Sequence, residues 1–398
     1  LIMDNTLFTS DTRCNDRLYE DCQEGGACND KFWKGVRVIG DDSEDQTTSA
    51  GIQGRLTMKS NSEIEFALTG VMAGNEGCVD CGGGILDIAD SKFKDNLTGV
   101  SFQPYVRTLN GNETYNRSYV RTTNFTRTSA LPNDTRLTHI YADGCSTIRL
   151  RGNIYQNEAW AGYTQALRGV GIYAYNSSID ESWYCNGTSI PCPDRIQSQF
   201  KNLHKGIDAT STSSTRTLSE GYAIFTNNYI GIQASNLQRP IILDNEFYVI
   251  NETNASGLKL IQCDQYVVEN NFFTAMATSP VVWMFGITVQ SSGPYVNELY
   301  RNRFEDITIG IVSSGVNADC VNTLYRDGLR WKCNRFDQTI PYADIFVYNG
   351  NVSDEQGECD ASLKPARNIF SHTNGFDIRV RDTGSNLTEC ISGGTTAF

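Results

Sequence analysis

Between Phe225 and Phe336 the apolar and polar positions follow one repeating order: an apolar residue, two free positions, Asn, one free position and Phe. The order is spelled by Ile242, Asn245 and Phe247, then Val268, Asn271 and Phe273, then Leu299, Asn302 and Phe304, then Trp331, Asn334 and Phe336. Successive Asn positions are 26, 31 and 32 residues apart. A half-pattern, Phe followed six residues later by Gly and a β-branched residue, joins on at Phe225…Gly231-Ile232 and Phe304…Gly310-Ile311. It also occurs earlier, at Phe93…Gly99-Val100 and Phe200…Gly206-Ile207. A fixed period of this length marks stacked repeats. Each unit reads as short strands split by polar breaks, as in Gly286-Ile287-Thr288-Val289 ahead of Gln290-Ser291-Ser292-Gly293-Pro294, and none carries a helix-length run of period 3.6.

Repeats of short strands imply coils of β-structure in which equivalent side chains stack along one axis. Phe is expected inside, in one row, and Asn at a sharp turn, in another, each about 4.8 Å above the last. On this repeat the chain resembles the right-handed parallel β-helix superfold, the pectate-lyase-like group of folds. The resemblance covers residues 51 to 380. The expected fold is therefore all-β: a parallel β-helix solenoid with a disulfide-stapled N-terminal extension and long glycosylated loops. Residues 1–50 read as the extension, a cap or docking arm, because they hold three cysteines and no coil signature. Residues 51–380 read as the β-helix, with loop excursions at 104–134 and 176–193, and residues 381–398 as a C-terminal cap or tail.

Composition narrows the function classes. The formal charge is −13 over 398 residues, which disfavours nucleic-acid binding, since a phosphate-binding surface needs clustered Lys and Arg. The longest apolar stretch, Val281 to Val289, is broken by Gly286 and Thr288 and suits a buried strand, so no membrane span is expected. The run Asp41-Asp42-Ser43-Glu44-Asp45 offers hard oxygen ligands of the kind calcium takes, although a solvated charged loop is the simpler account; no other cofactor is indicated.

Thirteen cysteines point to an oxidising compartment. Disulfide candidates are Cys14, Cys22 and Cys28, then Cys78 with Cys81, Cys185 with Cys192, Cys320 with Cys333, and Cys359 with Cys390. Cys145 and Cys263 lie inside presumed coils and are the candidates for buried free thiols. A zinc site would require a second Cys-x-x-Cys pair beside Cys78 and Cys81, and there is none. Asn-x-Ser/Thr sequons occur at Asn96, Asn112, Asn116, Asn124, Asn133, Asn176, Asn186, Asn251, Asn254, Asn351 and Asn386. Composition alone would give about five, so the excess suggests a secreted or cell-surface glycoprotein. The chain begins at Leu1 without a signal peptide, which fits a processed product or an incomplete one.

Polysaccharide-degrading enzymes of the superfold rely on paired aspartates with nearby His and Arg-x-Lys signatures, or on calcium-bound aspartates with an Arg or Lys base. No Gly-His-Gly turn, Arg-x-Lys strand or paired-Asp strand is expected in the coils here. Asp87 with Asp90, and Glu305 with Asp306, read as solvated turn carboxylates. Trp160, Tyr163, Tyr173, Tyr175 and Trp183 could stack on sugars or serve as ladder residues. The expectation is a non-catalytic structural protein, a subunit of an extracellular filament or sheath or a surface adhesin, that associates with itself and carries glycans. A polysaccharide lyase or glycoside hydrolase, or a non-catalytic carbohydrate-binding β-helix, is the alternative.

Overall fold

The computed structural model describes residues 1–9, 32–47, 53–78, 80–131, 136–187, 191–212, 215–276, 282–318, 327–337, 340–353, 356, 366–371 and 375–381. Three long sheets, of 11, 11 and 12 strands, run the length of the chain. Within each sheet every strand pairs in parallel with the strand one coil away, as Phe225↔Phe247, Phe247↔Phe273 and Phe273↔Phe304 do in the second sheet. Three parallel sheets visited in turn by one chain make a parallel β-helix.

The ladders inferred from the repeat are present. Phe93, Phe125, Tyr155, Phe200, Phe225, Phe247, Phe273, Phe304, Phe336 and Phe370 form one stacked column with ring centroids 4.6 to 5.9 Å apart. At the turn before it, the Asn245 Nδ2 donates to Asn271 Oδ1 at 3.1 Å, Asn271 Nδ2 to Asn302 Oδ1 at 3.0 Å, and Asn302 Nδ2 to Asn334 Oδ1 at 3.1 Å. Asn334 Nδ2 continues to Asn368 Oδ1 at 3.3 Å. Each Oδ1 also accepts a backbone N–H from the coil below, for example Asn271 N at 3.0 Å from Asn302. Each amide of this row is thus paired, which removes the main cost of placing it in the core.

The half-pattern has a steric cause. A Cβ added to Gly206, Gly231, Gly257, Gly286 or Gly310 would stand 2.6 to 2.8 Å from Cδ1 of Phe225, Phe247, Phe273, Phe304 or Phe336. Only a residue without a side chain lets each ring lie flat on the neighbouring strand.

Three boundaries differ from the sequence reading. Coils start at the first described residues: Ile2–Asp4, Leu7–Phe8 and Val36–Val38 pair with Arg55–Lys59, Glu63–Glu65 and Thr69–Ala73. The N-terminal segment therefore supplies the first rung of all three sheets, and its short irregular strands carry too little of the repeat to be recognised. The excursion placed at 104–134 contains two coil strands, Tyr119–Arg121 and Asn124–Arg127; the projecting part includes the hairpin of Thr108–Leu109 with Asn112–Glu113. Likewise 176–193 contains the coil strand Ile179–Ser182, and the excursion begins after it. In both stretches alternation is maintained by polar and charged outward residues, which mimic a loop in composition. Residues 10–31 and 382–398, with Cys14, Cys22, Cys28 and Cys390, lie outside the described residues.

Candidate saccharide groove

The first sheet turns alternate residues outward, and on its middle rungs these are large and polar. Tyr119 and Arg121 pair in register with Arg149 and Arg151, and these with Asp180 and Ser182. Arg151 Nη2 meets Asp180 Oδ2 at 2.6 Å, and Arg121 Nη1 meets Asp87 Oδ1 at 2.9 Å. Where the strand Ile179–Ser182 ends, the chain rises as a short antiparallel hairpin, Tyr184–Cys185 with Arg195–Ile196, closed by the Cys185–Cys192 disulfide. The hairpin folds back over Gly152, where an added Cβ would lie 2.9 Å from both Ile196 O and Tyr184 Cβ. Gly152 also holds φ +62, so two independent constraints exclude a side chain there.

The hairpin divides two hollows. One, of about 440 Å³, is lined by Tyr119, Arg151, Asp180, Trp183, Tyr184 and Tyr222 among others. Its floor runs from Tyr119 to Leu243 along neighbouring rungs, which at the usual strand spacing is about 19 Å. Trp183 and Tyr222 meet edge to face at 6.4 Å, and the Arg195 guanidinium lies 4.7 and 5.5 Å from their ring centroids. Arg149 sits 5.4 Å from the Tyr119 ring centroid. Burial pushes the Tyr119 hydroxyl above its usual range, and a hydrogen bond with Asp244 does the same for Tyr222. Both stay neutral donors at ordinary pH. The second hollow, of about 310 Å³, is lined by Asp90, Thr122, Asn124, Gly152, Tyr184, Asn186 and Ile196, so two sequon asparagines share it.

Beneath the groove floor lies a polar knot in an otherwise apolar core. Glu181 and Glu220 face each other in register on adjacent rungs, both buried. Tyr155 OH donates to Glu181 Oε2 at 3.2 Å, and Ser198 Oγ donates to Glu181 Oε1. Among the described residues neither carboxyl oxygen of Glu220 has a partner. Burial raises the Glu181 carboxyl to about 8 and that of Glu220 well above its usual range. The knot coincides with faults in the ladders: Tyr155 stands in the Phe column, and buried His139 stands between Gly99 and Gly171 in the Gly column, its ring 6.3 Å from that of Tyr155. The sequence signal was present as Tyr for Phe at Asn153-Ile154-Tyr155, but the burial of two glutamates was not foreseeable from alternation in a charged stretch.

The other sequence candidates scatter. Tyr163 is buried with the Arg127 guanidinium 3.7 Å from its ring centroid; Trp160 is covered by Arg168 at 5.2 Å; Tyr173 stacks on Tyr141 at 5.6 Å. Tyr175 lies further along the Tyr173 strand, in register with Asp143. Asp87 is held by Arg121, whereas Asp90 bonds Thr122 at 2.7 Å at a turn, so they form no catalytic pair. Glu305 bonds across the rung to Asp337 rather than working with Asp306. An Arg-x-Lys strand overlooked in the sequence, Arg330-Trp331-Lys332, faces outward on the first sheet, with Arg330 3.3 Å from Asp327 and Lys332 2.6 Å from Glu298. Gln46 Nε2 donates to Gly83 O, and Asp45 pairs with Arg107 at 2.7 Å, so the acidic run is anchored by protein partners. Among the described residues no group of three or more His, Cys, Asp or Glu is placed to hold a metal.

Two sequons are corrected by their burial. Asn96 is 4% exposed, its Nδ2 donating to Ile64 O and its Oδ1 accepting from Ala67 N, both at 2.8 Å. It is a turn residue pointing inward, and an attached glycan would have no room. Asn116 is 3% exposed and accepts from Ser118 N and Gln46 Nε2. Asn112, Asn186 and Asn254 are exposed, while Asn124, Asn176, Asn251 and Asn351 are half-buried; Asn133 and Asn386 lie outside the described residues. Among the cysteines, Cys78–Cys81 and Cys185–Cys192 are disulfides and Cys145 and Cys263 are buried free thiols. Cys333 is a free thiol at a left-handed turn position, φ 56. Cys320 and Cys359 lie outside the described residues.

No protein-family model matches the sequence, and no curated protein matches it. Among solved structures, the chain is similar to the A-module of a mannuronan C-5 epimerase of Azotobacter vinelandii, with TM-score 0.39 and 8% identity over 84% of this chain and 81% of that one. It is similar to a periplasmic alginate epimerase, with TM-score 0.35 and 13% identity over 83% and 76%. It is also similar to a Streptococcus pneumoniae surface protein and adhesin, with TM-score 0.31 and 10% identity over 89% and 98%. The assignment of this chain to the parallel β-helix fold follows from its own strand registers.

Proposed function

We propose that this chain is a secreted, N-glycosylated β-helix of adhesin type that binds saccharide in the groove beside the 183–198 hairpin and does not cleave it. The observation that carries the reading is the composition of the groove. Trp183, Tyr184, Tyr119 and Tyr222 offer ring faces, and Tyr119 and Tyr222 neutral hydroxyls, the usual means of holding a sugar. The carboxyl groups, by contrast, are engaged: Asp180 by Arg151, Asp244 by Tyr222, and Glu181 and Glu220 turned into the core. Glycoside hydrolysis needs two carboxyl groups flanking the scissile bond, and none of these is free to do so.

Calorimetric titration with neutral and uronate oligosaccharides, followed by analysis of the sugars recovered, tests the reading. Binding with intact sugars is expected, and Trp183→Ala should weaken it by roughly tenfold, about 1.4 kcal/mol. Shortened or unsaturated products would overturn the non-catalytic assignment and favour a lyase or hydrolase.

Self-association belongs to the same reading. The first rung exposes Leu1, Ile2 and Leu7, and the last described strand, Phe376–Arg381, exposes Phe376 and Val380. Apolar residues on edge strands favour strand addition by another chain, and head-to-tail contacts that do not close give filaments. Light scattering and electron microscopy would return monodisperse monomers if this part is wrong.

A further inference from the structure

The core knot sits directly under the groove, and the two share strands. In Ile179–Ser182, Glu181 points inward while Asp180 and Ser182 line the groove; in Leu218–Gly221, Glu220 points inward while Ser219 and Gly221 line it. The two carboxyl groups are forced together by register, one rung apart, in a space sealed from water. Two carboxylates at that separation cannot both ionise without strong repulsion.

We propose that the Glu181–Glu220 pair is a proton-dependent lock on the groove: protonated, it holds the two strands in register, and deprotonated, it drives them apart and deforms the groove floor. The groups around it leave it little choice. Tyr155 and Ser198 donate to Glu181 and none of the described groups donates to Glu220. Arg151, the nearest cation, is committed to Asp180 on the outer face, and Asp180 adds negative charge close by. Beyond Tyr155 stand neutral His139 and Arg127, the latter donating to Leu167 O at 2.7 Å. The third sheet contributes the apolar Ile172, Ala174, Ile207 and Ala209 at these rungs, and the second contributes the Phe200 and Phe225 rings. The shifts of both carboxyl groups agree with this geometry, Glu181 standing near 8 and Glu220 well above the usual carboxylate range. Because the folded carboxyls hold their protons above the ordinary range near 4.5, the stability they confer is complete below that value. It is lost as pH rises through the folded values.

The consequence for saccharide rests on the groove reading; the lock itself does not. Wild-type protein and Glu220→Gln are compared by amide hydrogen exchange, corrected for intrinsic base catalysis, between about pH 6 and about pH 9. In the wild type, protection should fall in residues 179–185 and 218–222 before the remaining strands. In Glu220→Gln, which cannot acquire the second charge, these segments should stay protected throughout. Identical profiles for the two proteins, or a loss spread equally over all three sheets, would overturn the lock. Should Glu220→Gln fail to fold, Glu181→Gln and the wild-type pattern alone still decide. Saccharide titrations run in parallel should weaken at least roughly tenfold at the upper pH in the wild type only. If no sugar binds at any pH while exchange behaves as stated, the groove reading falls and the lock stands.

Discussion

Gly231 lies so close beneath Phe247 that a methyl group on it would stand 2.7 Å from the ring's Cδ1 and 2.4 Å from Gly257 O. Neither neighbour can yield, since the ring is sandwiched between Phe225 at 4.7 Å and Phe273 at 4.6 Å, and the oxygen is backbone. Gly231→Ala is therefore expected to destabilise by about 1 to 3 kcal/mol through overpacking, despite the lower entropy of the unfolded chain. Phe247→Ala should cost about 3 to 5 kcal/mol as a buried cavity. Denaturant unfolding of both variants checks the pair; a neutral Gly231→Ala would refute close packing at the column.

Asn302 joins two coils. Its Oδ1 accepts Asn271 N and Nδ2, both at 3.0 Å, and its Nδ2 donates to Val268 O at 2.9 Å. Asn302→Ala leaves these buried groups without partners, so a loss of about 2 to 4 kcal/mol is expected, against roughly 1 kcal/mol for an exposed amide. Thermal unfolding measures it, and Asn302→Asp, which keeps only the acceptors, should lie between Asn302→Ala and the wild type at neutral pH.

Glycan occupancy should follow exposure rather than the sequon. Asn112, Asn186 and Asn254 are expected to carry glycans, and Asn96 and Asn116 to be unmodified. Site-resolved mass spectrometry of protein from a glycosylating host decides this, and an occupied Asn96 would contradict its two backbone hydrogen bonds.

Buried histidine contributes to the acid limb of stability. Burial holds His139 at about 3 and His204 at about 4, both depressed from an ordinary 6.5. The unfolded chain takes up these protons first, so their contribution is present above pH 6.5 and is lost as pH falls toward the folded values. The glutamate pair acts oppositely, losing stability as pH rises from 4.5. The melting temperature should therefore peak where the two windows overlap, between 4.5 and 6.5, and decline on both sides. His139→Gln should flatten the acid side and leave the alkaline side unchanged.

What the sequence by itself determined is the repeat: Asn-x-Phe at the turn and Gly six residues after Phe carry the fold, because a stacked ring, a paired amide and a missing side chain recur together on most rungs. The Asn row and the Phe column are legible in residues 245 to 336 alone, since local geometry repeats there with little interruption. Where the repeat is degenerate, tertiary pairing decided. Thr6, Ser62 and Ser91 hold the Asn position near the N-terminus, where Thr6 N bonds Ser62 Oγ at 3.3 Å, and such small hydroxyl residues look like any polar loop. Only registry in three dimensions drew residues 2–4, 7–8 and 36–38 into the first coil and placed Asn96 inward, because an inward and an outward Asn have the same sequon. The groove was equally hidden. It depends on Arg151, Asp180 and Tyr222 lying on successive rungs, separated by 29 and 42 residues of chain. The pairing of Glu181 with Glu220 across 39 residues arises for the same reason: in a solenoid, neighbours along the axis are fixed by coil length, and insertions between strands vary that length without leaving a mark on the residues that finally meet.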